Sequence, residues 1–356
     1  MMPHGGGERK GPVIRPPLAP YRKAVRGLEP NRFARPLHGP PLNLAKLEEV
    51  TRIYASKSLA NSTQRSYARG LKLWDQFCVF YRLDSVPTSR SLALFASWLA
   101  QRGFKSICQP FSALRSRYRG IPNWDKIRSD PLVQDVLRGV RRVHPHTPKR
   151  APALRLQHVM QIVDHEISSR TSYENLLRAF IACTAFCGLM RLGKAVMPKN
   201  ASDFVPSDYA QRDTFVLDND TLRFYLAKTK TKQFGEGGWV VIHRNLVPSG
   251  VPLFSLAGAF IRARDAWLGP TGLLFAKKSG ERLLSRDTIV NMLKAIDPTL
   301  TGHSFRAGGA TYLAAIGVRE EDIKRMGRWT SDAWQVYVRD HPTIIAELQR
   351  RYQHPP

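Results

Sequence analysis

Apolar residues recur at steps of three and four along the first part of the chain, which is the spacing of one face of an α-helix. The first such set comprises Tyr67, Leu71, Trp74, Cys78 and Tyr81. Asn61 or Ser62 is expected to cap this helix. Three further sets repeat the pattern: Leu92, Phe95, Ala96 and Leu99; Phe111, Leu114 and Tyr118; and Val133, Val136, Leu137 and Val140. The pattern therefore predicts an α-helical domain of four helices.

The second part of the chain combines helical spacing with a short region of period two. The predicted segments are helices over 156–165 and 173–192 and strands over 214–217, 221–226 and 239–242. Asp218, Asn219 and Asp220 form a turn signal between the first two strands, which predicts an antiparallel hairpin. The spacing is helical again from Phe260 onward. We therefore expect a mainly α fold, in which a helical domain precedes a mostly helical domain with one small three-stranded antiparallel sheet.

Composition changes abruptly at two places and suggests the domain boundaries. The N-terminal residues are rich in Pro, Gly and Arg without any helical or strand period, so we expect a disordered basic arm over residues 1–45. The stretch VHPHTPKRAP is a basic, proline-punctuated linker. The two domains are accordingly expected over residues 46–148 and 149–356.

The formal net charge is +27 and the isoelectric point is near 10.5. Self-repulsion opposes folding at such a charge, so a polyanionic partner is the usual reason to carry it, and nucleic acid is the leading candidate. The alternative is a solvated basic surface or a ribosome-like packing protein. Neither a membrane span nor a signal peptide is predicted, which favours an intracellular protein. The four cysteines form no metal-binding pair, so no metal is expected.

Basic side chains lie on the predicted outer faces of two helices and on one extended segment. The helical set comprises Arg115, Arg117, Arg119, Arg138, Arg141 and Arg142. Lys228, Lys230 and Lys232 alternate on one face of the extended segment after the second strand. Both sets are candidates for DNA binding. For the lysines, a solvated strand edge protected by charge is an equally good interpretation.

Chemistry-bearing residues gather in the C-terminal stretch TGHSFRAGGATYLAAIGVREEDIKRMGRWTSDAWQVYVR. His303 and Arg306 are three positions apart, so on a helix they project from one face. Gly317 and Gly327 are expected to end successive helices, and Ser331 to cap the helix that carries Tyr337.

A helix-turn-helix DNA reader is a competing interpretation of this stretch. It explains Gly317 and the apolar spacing around Ile323. It leaves His303, Arg306, Trp329 and Tyr337 without a role.

The ordered set of CGLMRLGK, LAKTKTKQFGEGG and the C-terminal stretch resembles the tyrosine recombinases, or phage-type integrases, over about residues 57–340. GRWTSDAWQVYVR and KTKTKQFGEG resemble most closely the integrases of Crypton and DIRS-like eukaryotic mobile elements. The resemblance implies a SAM-like helical core-binding domain followed by a catalytic domain. It also implies the catalytic residues: Arg191 and Arg306 as the two arginines, Lys230 as the hairpin lysine, His303, Trp329 in a position held by His or Trp, and Tyr337 as nucleophile.

The implied reaction is site-specific recombination of duplex DNA through a 3′-phosphotyrosyl intermediate, within a homotetramer on DNA. The resemblance implies no metal, cofactor or small-molecule substrate, and a nuclear location if the host is eukaryotic. In many prokaryotic members of the family the attacking tyrosine follows the His or Trp by nine residues, whereas Tyr337 follows Trp329 by eight, a departure that resembles the mobile-element branch.

One residue departs from the family in a way that bears on activity. Lys194 stands where an acidic residue is usual, and it adds positive charge to a site already rich in cations. This departure favours an alternative, a DNA-binding protein that descends from such an enzyme but no longer cleaves. A type IB topoisomerase is a second alternative, which the helical domain and the short chain disfavour.

Overall fold

The computed structural model describes residues 43–104, 106–145, 151–167, 171–227, 237–280 and 282–335. These residues fall into two compact units, 43–145 and 151–335. Each unit has a hydrophobic core of its own.

The first unit is entirely helical in its described residues. Its helices are α1 (Leu44–Ser56), α2 (Asn61–Tyr81), α3 (Ser89–Gln101), α4 (Cys108–Tyr118), α5 (Trp124–Ser129) and α6 (Pro131–Val143). The four predicted helices correspond to α2, α3, α4 and α6. Trp74 is fully buried in this core, and its ring packs edge to face on that of Phe95, with 5.1 Å between the centroids.

Two helices of this unit were not predicted, because neither shows a long apolar face. Helix α1 buries only Val50, and α5 has only six residues. Helix α1 also begins inside the segment expected to be a disordered arm, since the Asn43 side chain accepts a hydrogen bond from the Lys46 N–H and caps it.

Two details predicted for α2 are wrong. Asn61 is the first helical residue rather than the cap, and the preceding Ala60 offers no side-chain cap. Tyr81 is 50% exposed, and its neighbours Val79 and Phe80 are more exposed still. The buried face of α2 therefore ends at Cys78. Phe77, which the predicted apolar face omitted, is buried instead.

The second unit is mostly helical and contains one three-stranded sheet, as predicted. Its elements are α7 (Leu156–Glu166), α8 (Tyr173–Cys187), β1 (Val216–Leu217), β2 (Thr221–Leu226), β3 (Gly238–His243), α9 (Leu253–Leu268), α10 (Arg286–Ile296), α11 (Ser304–Ala315) and α12 (Glu320–Met326). The sheet is antiparallel with the order β1-β2-β3. In the β2–β3 register, Leu222 pairs with Ile242 and Phe224 with Val240, and all four are buried.

Two elements of this unit are shorter than predicted. Strand β1 has two residues because Arg212–Thr214 form a 3-10 turn. Helix α8 ends at Cys187, since Gly188 caps it and Leu189 adopts the left-handed conformation with φ 49°. This early end frees the chain to turn just before Arg191.

Helix α11 packs on α8 with backbone almost against backbone. A Cβ atom at Gly309 would lie 2.1 Å from the carbonyl oxygen of Phe186, and one at Gly308 would lie 2.1 Å from that of Leu154. Only glycine fits at both positions. This close approach brings the first turn of α11, with Arg306, beside the chain that leaves α8.

In the part of the chain described here, none of the helices combines the length and the apolar character that crossing a bilayer requires.

Candidate active site

Of the six predicted catalytic residues, Arg191, His303, Arg306 and Trp329 belong to the second unit. Lys230 and Tyr337 lie outside the described residues, as do Lys228 and Lys232.

Arg306 joins two turns that are distant in sequence. Its side chain is 2% exposed, its Nη1 donates to the carbonyl of Leu189 at 2.9 Å, and its Nη2 donates to that of Gly327. The guanidinium carbon lies 3.8 Å from the centroid of the Trp329 ring, a cation–π arrangement. The structure therefore brings Arg306, Trp329 and the turn after α8 together.

Arg191 follows Leu189 by two residues and is half-buried. Burial and then the positive charge of Arg191 lower the pKa of Arg328, whose side chain donates to the turn just before Arg191. Since Arg328 and Arg306 both donate to the Leu189 carbonyl, Arg191 belongs to the same cluster.

His303 differs from Arg306 in its surroundings. Helix α11 begins only at Ser304, so His303 occupies the N-cap position and is exposed. The preceding Gly302 packs closely on Leu192, the residue after Arg191. His303 therefore lies just outside helix α11 and is exposed, whereas Arg306 lies inside the helix and is buried. The contact of Gly302 with Leu192 still places the backbone of His303 near that of Arg191.

The two glycines expected to end helices behave differently. Gly317 follows α11 with φ 86°, as predicted for a glycine at a helix end. Gly327 keeps a right-handed conformation at the end of α12, and Arg328 takes the left-handed position with φ 58°. Gly327 is required instead by Trp329, because the indole ring occupies the space that a Cβ at Gly327 would need.

Arg328 is a member of the cluster that the sequence did not single out. Its Nη2 donates to the carbonyls of Gly188 at 2.8 Å and Leu189 at 3.1 Å, and its Nη1 donates to that of Met326 at 2.8 Å. Burial, and then the charge of Arg191, lower its pKa to about 10. The sequence offered no signal for it apart from its place inside GRWTSDAWQVYVR, because its partners are backbone carbonyls.

Lys194 lies in a 3-10 turn (Leu192–Lys194) directly after Arg191. Its backbone N–H donates to the Arg191 carbonyl at 2.9 Å. Its ammonium group lies 5.9 Å from the centroid of the Tyr209 ring. The charge of Lys194 thus lies over an aromatic face.

The six arginines predicted to bind DNA are all exposed on α4 and α6 or at their ends. Two of them have carboxylate partners: Arg117 lies 3.4 Å from Asp75, and Arg138 pairs with Asp135 one turn earlier on α6. Their exposure makes them available to a polyanion.

The chemistry of the cluster in the second unit is that of an anion site. Arg306 and Arg328 bind the turn that leads to Arg191, and the indole of Trp329 packs on Arg306. Guanidinium groups match the geometry of phosphate oxygens. Within the ranges described, His, Cys, Asp and Glu side chains form no group of three suited to a metal ion.

No family model and no curated protein matches the sequence. Solved structures match the fold. The Tn1549 transposon integrase in complex with transposon right end DNA is 14% identical, with a TM-score of 0.54 over 86% of this chain and 98% of that chain. The XerH site-specific recombinase bound to its palindromic difH substrate is 13% identical, with a TM-score of 0.55 over 82% and 80%. The chain therefore has the fold of the tyrosine recombinases.

Proposed function

We propose that this protein is a site-specific DNA recombinase that cuts and rejoins duplex DNA through a 3′-phosphotyrosyl intermediate on Tyr337. The observation that carries the proposal is the gathering of Arg191, Arg306 and Trp329 around the turn that follows α8. Arg191 is more than a hundred positions away from the other two residues in sequence. The fold alone does not require cations to meet at this turn.

The two arginines hold the non-bridging oxygens of the phosphodiester at which the strand is cut. Their positive charge offsets the anionic character that would repel an attacking oxygen, and losing one such donor typically costs about 3 kcal/mol of transition-state stabilisation. The Trp329 indole N–H donates to the same group. Arg306 is already fixed by its contacts with Leu189, Gly327 and Trp329, so little ordering is needed when DNA binds.

Trp334 supports the assignment of Tyr337 to this same cluster. It is 2% exposed and packs in a hydrophobic cluster with Leu189 and Ile323, next to Trp329. Tyr337 follows Trp334 by three residues, which span about 11 Å at most. In the proposed reaction the phenol of Tyr337 therefore acts beside the arginines of its own chain.

Lys230 and His303 move the protons. Lys230 belongs to the segment between the end of β2 at Leu226 and the start of β3 at Gly238, and Gly238 lies against the side chain of Arg328. In the proposed reaction Lys230 protonates the departing 5′ oxygen as general acid, and His303 accepts the proton of the Tyr337 hydroxyl. The phosphotyrosyl bond keeps the energy of the broken linkage for rejoining.

Duplex DNA is the proposed partner, and the net charge of +27 and the exposed arginines of α4 and α6 support it. The helical unit is proposed as the core-binding domain and the second unit as the catalytic domain, working as a homotetramer on DNA. GRWTSDAWQVYVR and KTKTKQFGEG favour a Crypton or DIRS-like mobile element, whose integrase would act in the nucleus.

A trap for the covalent intermediate tests the proposal. The full chain is incubated with nicked duplexes whose sequences around the nick are randomised, and adducts that survive denaturation are collected. We expect adducts with the wild type and none with Tyr337→Phe, while both proteins bind DNA equally. Equal adduct yield from the two proteins would contradict the assignment of the nucleophile.

A DNA-binding protein that does not cleave is the second candidate, and Lys194 is the residue that favours it. It predicts tight binding without an adduct on any duplex of the pool. A type IB topoisomerase would instead relax supercoiled plasmids of any sequence and exchange no strands between two duplexes.

A further inference from the structure

Arg328 occupies a backbone conformation that glycine would adopt more easily. Its φ of 58° lies in the left-handed region, which is uncommon for a residue with a side chain. The turn is otherwise an ordinary helix end: the Arg328 N–H donates to the Arg325 carbonyl and the Trp329 N–H to that of Lys324. Since Arg82 adopts the same conformation with an exposed side chain, the contacts of the Arg328 side chain, rather than its backbone, indicate what it does.

The Arg328 side chain contacts two segments that lead to predicted catalytic residues, and it shares an acceptor with a third such residue. Its guanidinium donates to the carbonyls of Gly188 and Leu189, just before Arg191. It shares the Leu189 carbonyl with Arg306. Its aliphatic part lies against Gly238, where the chain that carries Lys230 enters β3, since a Cβ at Gly238 would be 3.3 Å from the Arg328 Cδ.

We propose that Arg328 is a positioning residue, which fixes the Gly188–Leu189 turn and through it the guanidinium of Arg191 in the phosphate site. The inference rests on the proposed function, because Arg191 has its role there. Leu189 needs such support, since it is itself in the left-handed conformation and buried. The two arginines that bind its carbonyl hold this turn from two directions.

The shape of the guanidinium is essential to this role. One nitrogen donates to the carbonyls of Gly188 and Leu189, and the other donates to that of Met326 and, at 3.5 Å, to that of Trp239. A lysine ammonium cannot reproduce this planar fork. Arg328 is half-buried, and the loss of hydration and then the charge of Arg191 lower its pKa. A bound phosphate would reduce the repulsion between Arg328 and Arg191, so their proximity favours binding of an anion.

Hydrogen exchange on the full chain tests the positioning without any need for activity. The amides of Gly188, Leu189 and Met190 donate to the carbonyls of Thr184, Phe186 and Ala185, so they are protected in the wild type. Arg328→Gly keeps the left-handed turn without strain and removes only the side chain. We expect exchange of these amides to rise at least about tenfold, the effect of losing hydrogen bonds to a charged group.

Arg82→Gly is the matched control. Arg82 ends α2 with φ 53° and the same pair of hydrogen bonds, from the Arg82 N–H to Val79 and from the Leu83 N–H to Cys78, but its side chain is exposed. This variant is expected to leave exchange at Gly188–Met190 unchanged. Arg328→Lys keeps the charge and is expected to lose the protection as Arg328→Gly does. Wild-type protection in either Arg328 variant would overturn the proposal.

The cleavage assay then separates positioning from DNA binding. With a duplex that the wild type cleaves, we expect both Arg328 variants to form adduct at least about tenfold more slowly at saturating DNA, with an unchanged Kd. A loss confined to the Kd would overturn the positioning role. If the wild type cleaves no duplex, the proposed function fails, whereas the exchange experiment still decides whether Arg328 holds the turn.

Discussion

The carbonyl oxygen of Leu189 accepts hydrogen bonds from two arginine side chains, Arg306 at 2.9 Å and Arg328 at 3.1 Å. A carbonyl has two lone pairs, so both bonds can form at once. Two cations thus meet at the turn that leads to a third, Arg191. The charges repel one another in the absence of an anion, and the carbonyl contacts offset part of that repulsion.

Removing Arg306 should therefore destabilise the second unit. In Arg306→Ala the buried carbonyl of Gly327 loses its side-chain donor, and that of Leu189 keeps only the bond from Arg328, which is expected to lower the free energy of unfolding by about 2–5 kcal/mol. Urea unfolding measures this, with the exposed Arg325→Ala as control. A change as small as that of the control would contradict the structural role of Arg306.

Removing Arg191 should have the opposite effect on stability. Burial and, after it, the charge of Arg191 lower the pKa of Arg328 to about 10. Below that pH the folded state carries two cations that repel each other, so Arg191→Gln relieves the smaller part of a cost that the unfolded chain does not have. We expect the Tm at neutral pH to rise by about 2 °C, with cleavage abolished.

Arg178→Gln is the comparison for Arg191→Gln. Arg178 donates to the buried carboxylate of Glu166 at 2.9 Å, so its loss leaves an uncompensated buried charge and should lower the Tm. If both variants lowered the Tm alike, the predicted repulsion between Arg191 and Arg328 would be wrong.

Helix α11 shows how the secondary structure places these side chains. Its glycines let it approach α8 so closely that the Phe186 carbonyl lies where a Cβ at Gly309 would be. Glycine in a helix usually reduces stability relative to alanine, so two in succession indicate a packing requirement. The contact sets where Arg306 meets Leu189.

A pair of glycine substitutions measures this requirement. Gly309→Ala forces α11 away from the backbone of α8 and should destabilise the second unit by about 3 kcal/mol, a typical cost of overpacking. Gly139→Ala in α6 meets no atom within 4 Å and should stabilise its unit by about 0.8 kcal/mol through helix propensity. Thermal unfolding of both variants tests the signs. Equal effects would contradict the close packing.

The elements that the sequence predicted well are those that bury a regular face. Strand β2 alternates buried and half-buried residues along its whole length, and its predicted bounds are those observed. Helix α8 was predicted five residues too long, because its apolar run continues through Leu189 and Met190 into a turn that is also buried. Apolar patterns report burial, and they do not report where a buried helix ends.

The role of Arg328 could not be predicted for a different reason. Its partners are the carbonyls of Gly188 and Leu189, about 140 residues away, and backbone carbonyls leave no mark in a sequence. Arg306 and Arg191 were identified only through the resemblance of the motifs around them. Local patterns therefore predicted most of the elements, whereas the contacts of the site depend on tertiary packing.

For the molecule as a whole, the excess of positive charge is the dominant property, at +27. A protein that neutralises DNA phosphates releases counterions, so its affinity falls steeply with salt. Each exposed arginine of the helical unit that contacts a phosphate is expected to make the affinity fall more steeply with salt.

Salt titration of DNA binding tests which arginines take part. Replacing Arg138, Arg141 and Arg142 by Gln should weaken binding on all sequences and reduce the slope of log K against log salt by about 2.7, if each contacts one phosphate. Replacing Arg52, Arg82 and Arg90 by Gln removes the same charge from other exposed positions. An equal reduction in both triple variants would mean that net charge, rather than the α6 surface, binds DNA.

In the proposed reaction, Tyr337 forms the phosphotyrosyl bond to DNA within the arginine cluster of its own chain. Peptide mapping of the trapped adduct by mass spectrometry tests this directly. We predict a nucleotide 3′-phosphate attached to the phenolic oxygen of Tyr337, and no adduct from Arg191→Gln, which keeps the tyrosine. A nucleotide attached to any other residue, or an adduct of undiminished yield in that variant, would contradict the account.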